Sequence, residues 1–378
     1  MGLRQSFGLF MRPISIELGA GRELLSFALA LQNLIWGAIS PFGGALADRF
    51  GEARVSIAGA ALFALGMAVM GWSPSGEVVV LAQILIGIGL GGVGLSTVLG
   101  AVGRAAAPEK RTMALGLVSA AGSFGQFSVI PGSHALMDAY GWHAALYILA
   151  ATALAMIPLS LGLGPKRSAE ERRRSQPLKA ALAEAFASRS FILLTAGYFV
   201  CGFHVVFIAT HLPAYVGDKG MPGWVGAWAL AMVGLFNIIG TYTAGYLGSR
   251  FRKKNLLAFI YLARAGVFVV FLMAPVTEAS VLVFAAAMGL LWLSTIPLTS
   301  GLVAHLFGPV WMSMLYGIVF FSHQVGSFLG AWLGGRIFDA LGTYDAMWWI
   351  CVGLGIAAVL LNWPIVERPV DRLAAAKA

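Results

Sequence analysis

The chain alternates long apolar runs with short polar clusters. The runs are about 18–26 residues long, and a helix needs about 20 residues to cross ~30 Å of hydrocarbon. An apolar stub at 2–18 comes first, but it is too short to span and Arg12 interrupts it. Eleven full runs follow and predict transmembrane helices at 24–47, 55–73, 78–102, 112–134, 142–163, 191–215, 224–248, 256–275, 279–305, 313–336 and 344–366. The pattern therefore predicts an all-α polytopic membrane protein.

A charged segment at 164–190 is the longest break in the apolar pattern. It predicts a cytoplasmic linker between an N-terminal helix bundle at 1–163 and a C-terminal helix bundle at 191–366. A short tail at 367–378 completes the chain. This division predicts two six-helix bundles, with the first helix truncated.

The basic residues orient these helices. The chain is 59% apolar and 11% charged, against roughly 25% charged in soluble domains. With helices placed alternately, 19 of the 25 Lys and Arg residues fall on the side of the loop at 48–54 and four on the other side. By the positive-inside rule that loop and the C-terminus are cytoplasmic. The net charge of +9 thus indicates a multi-pass protein of the cell inner membrane, embedded in lipid, rather than a nucleic-acid partner.

The same orientation places Met1 near mid-membrane. A charged amino terminus there would cost several kcal/mol without a partner. We therefore expect that the sequence lacks the first half of helix 1, and that the intact protein has twelve spans with both termini in the cytoplasm.

One short segment occurs twice, 201 residues apart: GALADRFGEAR at 44–54 and GYLGSRFRKKN at 245–255. A repeated helix-loop junction indicates duplication of a helix bundle. The segment resembles the loop signature G-x-L-A-D-R-x-G-R-K of the major facilitator superfamily of transporters. This resemblance implies the major facilitator fold and a gating motif at Gly44, Asp48, Arg49, Gly51, Arg54, Gly245 and Arg250. We expect Asp48 to accept hydrogen bonds near a helix end and to pair with an arginine of its own half.

The charges predicted inside the membrane are all basic or titratable. The sixteen carboxylates fall in loops or at helix ends, whereas Arg4, His204, Arg264 and His323 lie within the predicted helices. A carboxylate-free interior of this kind favours an anionic ligand over a cation. Each residue has a simpler alternative. Arg4 could extend its side chain to the membrane surface, and each histidine could make one neutral hydrogen bond. For Arg264, extension to the surface is the favoured interpretation because it lies eight residues from the end of its helix.

The predicted helix at 279–305, helix 10 when the stub is counted as helix 1, carries a polar stripe. Trp292, Thr295 and Thr299 lie three and four residues apart, and Pro297 frees a backbone carbonyl. The stripe either lines a cavity or is a proline kink whose hydroxyls bond to their own helix. Asn237 and Gln32 are weaker candidates. The predicted substrate-binding residues are Arg4, Gln32, His204, Asn237, Trp292, Thr295, Thr299 and His323.

A narrower resemblance is carried by Arg4-Gln-Ser-Phe-Gly-Leu-Phe and by the stretch EKRTMALGL at 109–117 that leads to Ala121-Gly-Ser123. These segments are similar to the monocarboxylate porter and oxalate:formate antiporter branch. The resemblance implies that Arg4, the basic residue on helix 1, binds a carboxylate or takes part in proton transfer. Asn237 and Thr241 stand where animal members have Asp and Arg, and Gln83 stands in place of the superfamily's helix 4 arginine. The proton-coupling route of the animal members therefore cannot be assigned to this chain.

The predicted function is secondary transport of a small organic anion, a monocarboxylate, by alternating access. A proton and a counter-anion remain alternatives for the coupled ion. Efflux of an amphipathic metabolite or drug is a second interpretation, and a transport-inactive membrane sensor is a third. Enzyme activity is not expected, because HExxH, GxSxG, GxxxxGKS and paired-carboxylate motifs are missing. Cys201 and Cys351 form no metal or redox pattern, so no metal or other cofactor is expected.

Overall fold

The computed structural model describes residues 2–19, 22–163, 176–370 and 373, and it contains helices and no β-strand within these ranges. A single 3₁₀ turn lies at Pro108–Lys110. The α-helices, in chain order, are α1 (Gly2–Gln5), α2 (Phe7–Leu18), α3 (Arg22–Phe50), α4 (Glu52–Trp72), α5 (Gly76–Val93), α6 (Leu95–Ala105), α7 (Arg111–Leu154), α8 (Met156–Ser160), α9 (Leu178–Ala187), α10 (Arg189–Asp218), α11 (Gly223–Arg250), α12 (Lys253–Met273), α13 (Glu278–Leu291), α14 (Thr295–Phe307), α15 (Met312–Leu341) and α16 (Asp345–Asn362).

Within the described residues, ten helical segments are long and apolar enough to cross a membrane. They match ten of the eleven predicted spans: Glu52–Trp72, Gly76–Ala105, Pro108–Ser133, Ala135–Ser160, Arg189–Asp218, Trp224–Arg250, Lys253–Met273, Glu278–Phe307, Met312–Phe338 and Asp345–Asn362. The predicted span at 24–47 lies within the 29-residue helix α3. The stub forms α1 and α2 and ends at Gly19, whose φ of +58° favours glycine. The all-α polytopic fold is therefore confirmed.

Three of the predicted spans are interrupted helices, and in one of them Ala155 separates α7 from α8. Gly94 separates α5 from α6, and residues 292–294 separate α13 from α14. Pro297 is the third residue of α14, in the first turn, where its missing N–H leaves no helical bond unmade. The prediction that Trp292, Thr295 and Thr299 share one continuous helix face is therefore wrong, because the helix ends before Trp292 and restarts at Thr295.

The helices form two compact units. The first comprises Met1–Ala105, Phe124–Pro177 and Val310–Phe321. Small residues allow its helices to approach closely: a Cβ added at Gly43 would collide with the backbone of Gly91, and one added at Gly59 would collide with the backbone of Gly89. Apolar side chains alone give helices in lipid little reason to associate, so such backbone contact supplies much of the packing.

The second unit comprises Ala106–Ser123, Leu178–Pro309 and Ser322–Ala378. Its core is aromatic. The ring of Trp348 lies 4.9 Å from that of Phe207, 5.5 Å from that of Phe271 and 5.8 Å from that of Phe284. Gly326 and Gly330 of α15 pack against the backbone of α10. Each unit therefore draws residues from both halves of the sequence.

Candidate functional site

Asp48 lies in the first unit, two residues before the end of α3, and is 2% exposed. Its Oδ2 accepts a hydrogen bond of 2.9 Å from the backbone N–H of Met314, the third residue of α15. Its Oδ1 lies 2.5 Å from Nη1 of Arg104, which also pairs with Glu52. A negative charge at a helix N-terminus satisfies a free N–H and is favoured by the helix dipole. Asp48 therefore accepts hydrogen bonds near a helix end and pairs with an arginine of its own half, as the sequence predicted.

The second copy of the repeated segment makes an equivalent contact in the second unit. Ser249 follows Asp48 by 201 residues, and Met113 precedes Met314 by the same number. The hydroxyl of Ser249 accepts a hydrogen bond of 3.1 Å from the backbone N–H of Met113. The sequence repeat is thus also a repeated contact, with a carboxylate as acceptor in one copy and a neutral hydroxyl in the other.

The glycines of the two copies have matching roles. A Cβ added at Gly44 would collide with the backbone of Ser313, and one added at Gly245 would lie 2.7 Å from Cα of Gly116. Gly51 begins α4 with φ +97°, a conformation that side chains disfavour. The other basic residues of the predicted gating motif are exposed: Arg49, Arg54 and Arg250.

Arg4 lies in the first unit against an aromatic surface. Its guanidinium carbon is 5.0 Å from the ring centroid of Trp36, and that ring lies 4.7 Å from the ring of Phe320. Nε of Arg4, Nε1 of Trp36 and Nε2 of Gln32 are buried without a hydrogen-bond partner. Gln32 lies one helical turn before Trp36 on α3, so the two side chains share a face. Within the part of the chain that the structure describes, no carboxylate pairs with Arg4.

Arg4 and Gln32 are predicted from the sequence, whereas Trp36 and Phe320 are not. The i, i+4 spacing of Gln32 and Trp36 was available as a signal for Trp36. Nothing in the sequence connects Phe320 with Arg4, because that contact depends on tertiary packing.

The prediction that Arg264 extends to the membrane surface is wrong. Its side chain is 1% exposed. Nε and Nη2 donate to the carbonyl of Leu291, at 3.2 and 2.6 Å, and Nη2 also donates to the carbonyl of Trp292. The break between α13 and α14 frees these carbonyls from helical pairing, so a buried guanidinium is their donor. Nη1 of Arg264 has no partner.

The remaining predicted residues lie in the second unit. Thr295 Oγ1 is 3.2 Å from Cys201 Sγ, and the hydroxyl of Thr299 is buried without a partner. Nδ1 of His323 lies 3.0 Å from Oε1 of Gln324. Nε2 of His204 donates to the carbonyl of Cys351 at 2.9 Å, which leaves Nδ1 as an unpartnered acceptor. The predicted residues are therefore divided, with Arg4 and Gln32 in the first unit and the others in the second.

Asn237 supports the break between α13 and α14. Its Nδ2 donates to Oγ of Ser123 at 2.8 Å, and its Oδ1 accepts from the backbone N–H of Leu293 at 3.0 Å. Leu293 lies in the break, where helical acceptors are missing, so the amide supplies one. Both functional atoms of Asn237 are thus used within the second unit.

A further polar cluster lies at the end of α2. The carboxylate of Glu17 receives a hydrogen bond of 2.6 Å from Nε1 of Trp142, and its Oε1 lies 2.9 Å from Nε2 of His143. Nδ1 of His143 contacts the carbonyl of Gly71. The hydrogen bond from His143, followed by that from Trp142, lowers the pKa of Glu17 below its ordinary value. Among the described residues, no group of three or more His, Cys, Asp or Glu side chains could hold a metal ion.

Comparisons with known proteins identify the family. The chain is 27% identical to the uncharacterized MFS-type transporter YcxA of Bacillus subtilis (strain 168), over 97% of this chain and 91% of that protein. It is 27% identical to monocarboxylate transporter 11 of Mus musculus, over 93% of this chain and 80% of that protein.

The fold is also that of a solved transporter. The structure of the proton:xylose symporter XylE superposes with a TM-score of 0.78 at 17% identity, covering 99% of this chain and 95% of that one. The family model of the Major Facilitator Superfamily matches residues 1–331. The chain therefore belongs to the Major Facilitator Superfamily of transporters.

Proposed function

We propose that this protein is a secondary transporter that moves a small organic anion, a monocarboxylate, by alternating access, with Arg4 as the residue that binds the carboxylate. The inner membrane with a cytoplasmic C-terminus is its proposed location. Similarity to monocarboxylate transporter 11 supports the substrate class. The observation that carries the proposal is the group of unpartnered donors around Arg4.

Arg4, Gln32 and Trp36 each have a buried nitrogen without a hydrogen-bond acceptor. Each unsatisfied buried donor costs ~1–3 kcal/mol, and more when the group is charged. A carboxylate has two oxygens and about four acceptor positions, and the guanidinium fork of arginine matches its geometry. A bound monocarboxylate would therefore supply both the missing charge and the missing acceptors.

The rings beside Arg4 supply the apolar part of the site. Trp36 and Phe320 are 2% and 3% exposed. A small organic acid has an apolar end that can pack against such rings, whereas an inorganic anion does not. This combination favours organic over inorganic anions.

The repeated contacts at Asp48 and Ser249 support alternating access. In this proposal they hold one state of the transport cycle together and separate in the other. Glycines at 44 and 245 permit the close approach.

The test is uptake by the purified full chain in lipid vesicles, with lactate and lactamide as the paired probes. The two compounds have similar size, but only lactate carries a charge. We expect uptake of lactate and at least ~100-fold less of lactamide, since an unpaired buried arginine gains nothing from the neutral amide. Equal uptake of both would contradict a carboxylate site and favour the efflux interpretation for amphipathic compounds. No uptake or exchange of either would contradict the proposed function.

A further inference from the structure

Cys201 is in direct contact with the buried arginine of the second unit. Its Sγ lies 3.6 Å from Nη2 of Arg264 and 3.2 Å from Oγ1 of Thr295. His323 also forms a side-chain hydrogen bond with this sulfur. Cys201 is 0% exposed and Arg264 is 1% exposed. Three polar side chains thus surround one thiol in the interior of the unit.

The arginine lacks a carboxylate partner within the described residues. Its other acceptors are two backbone carbonyls, which carry no net charge, and Nη1 has no acceptor at all. An uncompensated charge buried in a membrane protein is strongly unfavourable. Among the described side chains that contact the guanidinium through a hydrogen bond, Cys201 alone can become an anion.

We propose that Cys201 is a thiolate paired with Arg264, and that this thiolate is a proton-binding site of the second unit. A nearby arginine stabilises a thiolate over a thiol. The hydroxyl of Thr295, which is able to donate to the sulfur, stabilises the same anionic form. The Cys201–Arg264 ion pair does not depend on the proposed function. A role for the Cys201 proton in transport does rest on the proposed function.

The protonation step is simple. A proton bonds to Sγ, the charge of the pair changes from zero to +1, and the attraction to Arg264 is lost. The titratable groups around the sulfur come from every neighbouring helix: Tyr261 and Arg264 from α12, His323 from α15 and His204 from its own helix. The break after α13 contributes the Trp292 carbonyl and α14 contributes Thr295, neither of which titrates. Protonation of Cys201 therefore leaves Arg264 as an unneutralised cation, which a substrate anion could compensate.

The chain offers a matched control, because Cys201 and Cys351 are its two cysteines and both are buried. Cys351→Ser retains Cys201, and Cys201→Ser retains Cys351. The ultraviolet absorbance of thiolate is measured on each purified variant near pH 7. We expect about one thiolate per chain in Cys351→Ser, disappearing on acidification, and less than about a tenth of that in Cys201→Ser, since a free thiol titrates near 8.5. Absence of the band from Cys351→Ser overturns the proposal, and this measurement needs no folded Cys201 variant.

Two further measurements sharpen the result. Arg264→Gln in the Cys351→Ser background should remove the band, whereas a band that persists in this folded protein would show that Arg264 does not hold the thiolate. In vesicles, the pH dependence of lactate uptake should be the same in wild type and Cys351→Ser, and Cys201→Ser should flatten it. An unchanged profile in Cys201→Ser overturns the transport role of the proton. If the wild type does not transport lactate, the proposed function is wrong. The thiolate absorbance tests the Cys201–Arg264 ion pair independently of that result.

Discussion

The carboxylate of Asp48 accepts a hydrogen bond of 2.9 Å from the backbone N–H of Met314. The same contact recurs 201 residues away in the sequence, where the hydroxyl of Ser249 accepts from Met113 at 3.1 Å. The two contacts differ in charge. Asp48 is also bound to Arg104, so the first copy is an ionic cap on α15, and the second is a neutral cap on α7. The first should therefore contribute more to stability and to the gating step.

Replacing Asp48 by Asn tests that difference. The variant keeps an acceptor for Met314 but removes one of the two carboxylates that pair with Arg104, which keeps Glu52 and the hydroxyl of Ser313. Breaking a buried ion pair costs ~3–5 kcal/mol, and the remaining partner reduces this to about 1–3 kcal/mol in unfolding. Turnover in vesicles should decrease more than substrate affinity. Ser249→Ala is the control and should cost about 1 kcal/mol. Thermal unfolding and turnover are measured for Asp48→Asn and for Ser249→Ala. Equal effects of the two substitutions would contradict the larger contribution of the Asp48 contact.

Gly245→Ala should destabilise the second unit. The added carbon would lie 2.7 Å from Cα of Gly116 and 3.0 Å from the carbonyl of Thr112, so the backbones must separate. Overpacking of this kind costs ~1–3 kcal/mol. Gly234→Ala on the same helix is the matched control, because its added carbon meets no atom within 4 Å. Thermal unfolding should show a lower midpoint for Gly245→Ala only; similar midpoints would argue against the close contact.

Glu17→Gln should change the pH dependence of stability. Hydrogen bonds from His143 and Trp142 lower the pKa of Glu17, so its contribution is complete above its unfolded value of about 4.3. The contribution decreases as the pH falls through the lowered pKa. The wild type should therefore be more stable than Glu17→Gln near pH 7, with the gap closing below about pH 4. Thermal unfolding across this range is the measurement, with exposed Asp218→Asn as the control. A gap that widens on acidification would contradict the assignment.

Asn237→Ala should destabilise the break between α13 and α14. The change leaves the N–H of Leu293 without its acceptor and removes the donor to Ser123. An unsatisfied buried group costs ~1–3 kcal/mol. Thermal unfolding of this variant beside exposed Asn255→Ala gives the comparison. No difference between them would mean that water or another group replaces the amide.

Much of the fold follows from the sequence. Apolar length predicted the spans, because lipid requires helices of a minimum length, and the 201-residue repeat indicated the duplication of a helix bundle. The pairing of Asp48 was expected from the resemblance of its loop to the superfamily signature and from its position near a helix end. These are local or repeated signals, which a single sequence contains.

The contacts within the candidate sites were harder to predict from the sequence. The direction of the Arg264 side chain depends on backbone carbonyls that are freed where another helix is interrupted. The interruption lies within a continuous apolar run, so the hydrophobic pattern does not reveal it. The contact of Cys201 with Arg264 joins α10 to α12 and has no sequence signal. Likewise, Arg4 and Trp36 lie on different helices, and their contact arises from tertiary packing.

The central claim is that Arg4 binds the carboxylate of the substrate, and equilibrium binding of lactate to the purified protein tests it most directly. Arg4→Gln should lose ~3–5 kcal/mol of binding, at least ~100-fold in affinity, while its thermal unfolding remains cooperative. Arg4→Lys should bind weakly, because it keeps the charge without the guanidinium fork. Lys219→Gln removes an exposed positive charge and should bind like wild type. Undiminished lactate binding by folded Arg4→Gln would contradict the account.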